Sequence, residues 1–148
     1  MFKQVSWAAA LLIGSIALAE PQVPDKLLGI WATDDSTLKG ETLVRGGAIY
    51  VDIDGVGAMV MKRGSDTSVT RLTVTGYAES THQLEVDITE RGGVTGHLTL
   101  NYDESQMALV PADNPADLYH RRAVQMSPVI RQALGLEPAT LSVPPIRR

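Results

Sequence analysis

Alternation with a period of two residues runs through this chain from Leu27 to Arg122, and nothing constrains its fold more. Ile49, Val51 and Ile53 alternate with Tyr50, Asp52 and Asp54. Leu72 and Val74 alternate with Arg71, Thr73 and Thr75, and Leu84, Val86 and Ile88 with Glu85, Asp87 and Thr89. Val94, Leu98 and Leu100 share a face with Gly96, opposite Thr95, His97, Thr99 and Asn101. A strict period of two marks strands with one face buried and one wet, and the abundance of Val, Ile and Thr agrees. Turn signals separate the runs: Gly46-Gly47, Asp54-Gly55, Gly64-Ser65-Asp66, Ala78-Glu79-Ser80, Gly92-Gly93 and Asp103-Glu104-Ser105. Glycine in such turns supplies the positive φ that tight hairpins need. The pattern predicts eight or nine strands, near 27–33, 40–45, 48–54, 57–63, 68–77, 82–91, 93–102, 106–110 and 117–122. Short links make them an antiparallel meander. An all-β meander of this size hides its edges best by closing into a small up-and-down barrel; a sandwich is the alternative. Eight strands leave an interior that side chains nearly fill.

Such a domain must hold together by packing alone, because the chain contains no cysteine. Disulfides, thiolate metal sites, thiol catalysis and a lipidated N-terminal cysteine are thereby removed. Residues 1–19 read as a secretory leader: Lys3, an apolar stretch from Trp7 to Leu18, and a small-residue site at Ala17-Leu18-Ala19. Cleavage after Ala19 implies a periplasmic or secreted protein. The apolar stretch is shorter than the roughly 20 residues a spanning helix needs, so no membrane span and no lipid anchor are expected. The division is then a leader at 1–19, a linker at 20–26, the barrel at 27–122, and a helix with a Pro-rich tail at 123–148. Residues 20–118 hold 7 Lys or Arg against 16 Asp or Glu. An acidic body excludes nucleic acid, which needs a positive field.

Ser127-Pro128 begins a short helix, since Ser caps free amides and Pro is preset for the first turn. Val129, Ile130, Ala133 and Leu134 form its apolar face, Gly135 suits the left-handed position beyond its end, and Pro138 stops it. Such a helix is placed to cap one barrel mouth. The tail ends Pro144-Pro145-Ile146-Arg147-Arg148.

Gly29-x-Trp31 on the first strand, followed by hairpins and a basic residue near the last strand, resembles the lipocalin-like (calycin) barrels. The resemblance implies that Trp31 closes one end of the barrel and packs against Arg121 or Arg122. It also implies a carrier of a small apolar ligand. An Arg stacked on a Trp ring gains a cation–π contact.

Residues for chemistry are sparse. His82, His97 and His120 fall on different strands, with no metal-ligand spacing; His82 and His97 are expected as a surface pair across a hairpin. Asp52-Ile53-Asp54-Gly55 reads as a hairpin turn, because the twelfth position of a calcium loop would be Arg63. Asp34-Asp35-Ser36 reads as an acidic loop with no further role, and Glu85 with Asp87 as solvated charge. No catalytic residue, cofactor or metal site is expected. Candidate binding residues are Trp31; Met59 and Met61, or Ala58 and Val60 in the other register, as adaptable walls; Arg121 and Arg122; and Arg147 and Arg148 in the tail. The function this implies is a non-catalytic binding protein. Its partner is another envelope protein, which it would serve as an inhibitor, immunity or assembly factor. A carrier of a small apolar ligand is the alternative, and an enzyme a distant third.

Overall fold

The computed structural model describes residues 23–136 apart from 90–92 and 94. The expected leader and the tail, with Arg147 and Arg148, lie outside the described residues. The architecture is an eight-stranded, antiparallel, up-and-down closed barrel with one extra strand. A 3-10 turn at Asp25–Leu27 leads into β1 (Gly29–Thr33), followed by β2 (Thr37–Lys39), β3 (Thr42–Val51) and β4 (Val56–Arg63). Then come β5 (Asp66–Ala78), β6 (Gln83–Thr89), β7 (Thr95–Asp103), β8 (Ala108–Pro111), β9 (Tyr119–Ala123) and one short helix, α1 (Pro128–Ala133). Each strand from β3 to β9 pairs with the next, and β1 closes the ring by pairing with both β9 and β3. Closure leaves no edge in the barrel itself; β2 hangs outside, paired to the first residues of β3.

Gly29 is required where the ring closes. Its φ is +117°, and a Cβ there would sit 2.0 Å from the Ala123 carbonyl oxygen on the neighbouring β9.

Gly46-Gly47 does not make the expected turn. The separate strands at 40–45 and 48–54 are one strand, β3, and the turn before it lies at 40–41. The reason is local. Buried Ser36 lies against β3, accepts the Gly47 N–H at 2.9 Å and donates to the Gly47 carbonyl oxygen at 3.0 Å. A Cβ on Gly46 (φ +101°) would strike the Ser36 hydroxyl. The paired glycines thus make room for a crossing loop inside a strand.

The interior holds Trp31, Ile49, Val51, Leu72, Val74, Leu84, Val86, Leu100, Tyr102, Leu109 and Tyr119, all buried. Met59, Ile88 and Leu98 pack against them and are half-buried. A second apolar cluster lies outside the barrel, where Ile30, Ala32, Ala48, Tyr50, Ala58 and Val60 meet Met126, Ile130 and Leu136. The helix therefore covers the outer face of β1, β3 and β4 instead of capping a mouth. Tyr50, expected on the wet face, is 1% exposed and donates to the Glu41 carbonyl at 2.6 Å; burial pushes its hydroxyl up to about 12. Val129, expected on the buried helix face, points to solvent, as does Ile53 in its turn. The expected start holds: the Ile130 N–H donates to the Ser127 hydroxyl, and Gly135 is left-handed at φ +74°.

Candidate binding site at the open mouth

The two ends of the barrel differ in what their polar groups are doing. At the closed end, Trp31 is 1% exposed and its Nε1–H donates to the Leu27 carbonyl at 3.1 Å. The Arg121 guanidinium lies 5.6 Å from the centroid of the Trp31 ring, because β1 and β9 pair Trp31 with Arg121. Arg121 also donates to the Leu28 carbonyl at 2.9 Å and the Asp25 carbonyl at 2.6 Å. These bonds fasten the 3-10 turn over the barrel end, where Val23 and Leu27 complete the core. Lys26 sits above the Tyr77 and Tyr102 rings and bonds Glu79 at 3.1 Å. Cations and carbonyls here are engaged with one another. A shallow hollow of about 510 Å³ beside Ile53 and Val124 adjoins this end, lined in part by these same engaged residues.

The opposite end is open. The last residues of β1 and β4 and the first of β9, with Gly46 and Gly47, surround a recess of about 580 Å³. This lies within the few hundred to a thousand Å³ typical of small-ligand sites. Met61 (38% exposed), Leu118 and Tyr119 supply apolar surface. Asp34 and Asp35 stand on one lip, Asp117 beside them, and Arg63 on the β4 side. A smaller hollow of about 290 Å³ shares Met61 and Arg63 and runs along the β4–β5 hairpin.

The acidic lip is held in shape. Arg122 donates to the Thr33 carbonyl at 2.7 Å and the Ser36 carbonyl at 3.2 Å. The Thr33 hydroxyl donates to Asp35 at 2.7 Å, His120 lies 3.0 Å from Asp34, and the Asn114 amide donates to Asp117 at 2.7 Å. Tyr119 is 4% exposed. Burial first, then the charges of Asp117 and Asp35, hold its hydroxyl above the ordinary phenol value.

Of the candidate residues, Trp31 and Arg121 meet at the closed end, and Arg122 braces the open lip from behind. Met59 belongs to the barrel interior and Met61 to the recess, whereas Ala58 and Val60 face α1. Sequence reasoning missed Asp35, Asp117 and Tyr119 as one group. About 80 residues separate them, and only the Thr33–Tyr119 pairing of β1 with β9 joins them. It also expected His82 beside His97, but the register sets His97 opposite Asp87. His97 lies between Glu85 at 2.6 Å and Asp87 at 3.1 Å, while His82 bonds Tyr77. The carboxylates of the Asp52–Gly55 turn are engaged by Arg131, at 2.6 Å and 2.7 Å. No family model, curated protein or solved structure matches this chain.

Proposed function

We propose that this chain is an exported, non-catalytic binding protein that receives another envelope protein at the open mouth of its barrel. One observation carries the reading: side chains occupy the barrel interior, and a recess of about 580 Å³ lies outside it, at the rim, open to solvent. A rim recess of this kind suits a side chain projecting from a partner's surface better than a ligand enclosed in the barrel. The seal of Arg121 over Trp31, behind a 3-10 turn, supports reading the chain as a lipocalin-like barrel. That likeness favours the second reading, a carrier of a small apolar molecule. The half-buried Met59, Ile88 and Leu98 would be its contact residues.

Native mass spectrometry of the gently purified protein, beside its Ala116→Trp variant, tests the reading. Ala116 is exposed and lines the recess, so a Trp there fills the mouth without entering the core. A second polypeptide that accompanies the parent and is lost from the variant is the expected result. A polypeptide retained by the folded variant would exclude the mouth. A small mass adduct on the parent would move the reading to the carrier.

A further inference from the structure

The proposed site contains a buried polar group that the fold itself does not use. Tyr119 is 4% exposed, yet its hydroxyl makes no hydrogen bond to any described residue. A buried donor or acceptor without a partner costs stability and is rare in folded proteins. Tyr50, as deeply buried, shows the ordinary outcome: its hydroxyl finds the Glu41 carbonyl. The Tyr119 hydroxyl lies beside the wall of the recess, since a Cβ on Gly47 would come 3.4 Å from it. The missing side chain at Gly47 is what leaves that oxygen reachable.

The surroundings of the oxygen define what it would bind. Three carboxylates, Asp34, Asp35 and Asp117, line the recess against one guanidinium, Arg63. No described Lys or Arg bonds any of the three, and His120 reaches only Asp34; Asp35 and Asp117 act on the phenol itself. In a negative field the hydroxyl oxygen is best used as an acceptor, facing a donor that carries positive charge. Met61 and Leu118 beside it suit the methylene stem of such a group.

We propose that the recess binds an ammonium or guanidinium group on a Lys or Arg side chain projecting from the protein partner, with the Tyr119 oxygen and the Asp35 and Asp117 carboxylates as acceptors. This rests on the mouth being the binding site and names the chemistry it selects. In the free protein the tyrosine waits unbonded; in the complex the cation's N–H groups donate to its oxygen.

Amide NMR titrations of the purified protein with n-butylammonium, n-butylguanidinium and n-butanol test the proposal. Both cations are expected to shift the amides of Asp35, Gly47, Asp117 and Tyr119, with dissociation constants in the millimolar range, about −4 kcal/mol at 1 mM. Butanol should bind at least tenfold more weakly. Tyr119→Phe is expected to weaken the cations about tenfold while leaving the thermal midpoint unchanged or raised, because it deletes an orphaned group. A lowered midpoint would mean the hydroxyl is spent within the fold, and unchanged cation binding would mean it is not an acceptor; either overturns the proposal. Asp117→Asn is the second variant, expected to weaken the cations and not butanol. A blocked Gly-Lys-Gly peptide should bind more tightly than butylammonium; weaker binding would overturn the assignment to a partner's side chain. Butanol equal to the cations at these amides would sink the choice of cation and leave the mouth standing. Failure of the mouth itself is read separately, from a partner retained by Ala116→Trp.

Discussion

Trp31 is gripped from three sides: by the Leu27 carbonyl on its nitrogen, the edge of Tyr102 at 6.2 Å, and the guanidinium of Arg121. Truncating such a side chain removes buried area and leaves a cavity the barrel walls cannot collapse into. Trp31→Ala is therefore expected to cost about 3–5 kcal/mol in chemical denaturation. Loss of under 1 kcal/mol would show that the closed end is not a stability element. At this scale the sequence was informative where residue type alone decides. Gly29 must avoid the Ala123 carbonyl, and a large ring must be buried. It was silent where two neighbours share a type. Arg121 and Arg122 differ only in direction, since successive strand residues point to opposite faces. One covers Trp31 and the other ties down the 33–36 loop.

The helix shows the same division one level up. Its boundaries were readable, because Ser127, Pro128 and Gly135 each answer a backbone requirement. Its seat was not, because the receiving face is spread over Ile30, Tyr50 and Ala58 on three strands. The clue available was that residues 48–51 are apolar in succession, as befits a strand covered on both sides. A helix of six residues is not stable alone, so α1 depends on its anchors, Ile130, Leu136 and the Arg131 pairs with Asp52 and Asp54. Arg131→Met is expected to cost about 2 kcal/mol and to expose α1 amides in hydrogen exchange before the barrel opens. Acid should do likewise. Burial works to raise Asp54, but the bonds from Arg131 and the Val56 amide outweigh it and hold the carboxyl below its ordinary value. Stability from a depressed carboxyl is present above the ordinary carboxylate range and is lost as the pH falls through the native value. Loosening of α1 at low pH, absent from Arg131→Met, is the expected pattern; equal acid loosening in both would place its cause elsewhere.

Over the whole molecule, β3 ties the ring together, pairing with β1 and β4 and carrying β2 as well. The alternation that announced this ring was legible from Leu72 to Leu100, where the sheet has one wet face. The site was not, because a rim is assembled from strand ends far apart in the chain. The wet face carries its own pH response. The bonds to Asp87 and then Glu85 raise His97 above the ordinary histidine value. A raised histidine adds stability that is present below its unfolded value and lost as the pH rises through the native one. The thermal midpoint should therefore drop slightly from mildly acidic to mildly alkaline buffer, and His97→Gln should flatten that drop. A drop that survives the substitution would belong to another group.

A recess at the rim of a filled barrel also has a kinetic meaning. In a barrel that encloses its cargo, entry and release wait for the walls to part, so exchange follows the slow opening of the protein. Here no described residue stands between the recess and bulk water. For a partner taken at this mouth, arrival is governed by collision and by the pull of the acidic lip, which salt weakens. Residence is then governed by the contacts made at the lip, with no wall that must part before release.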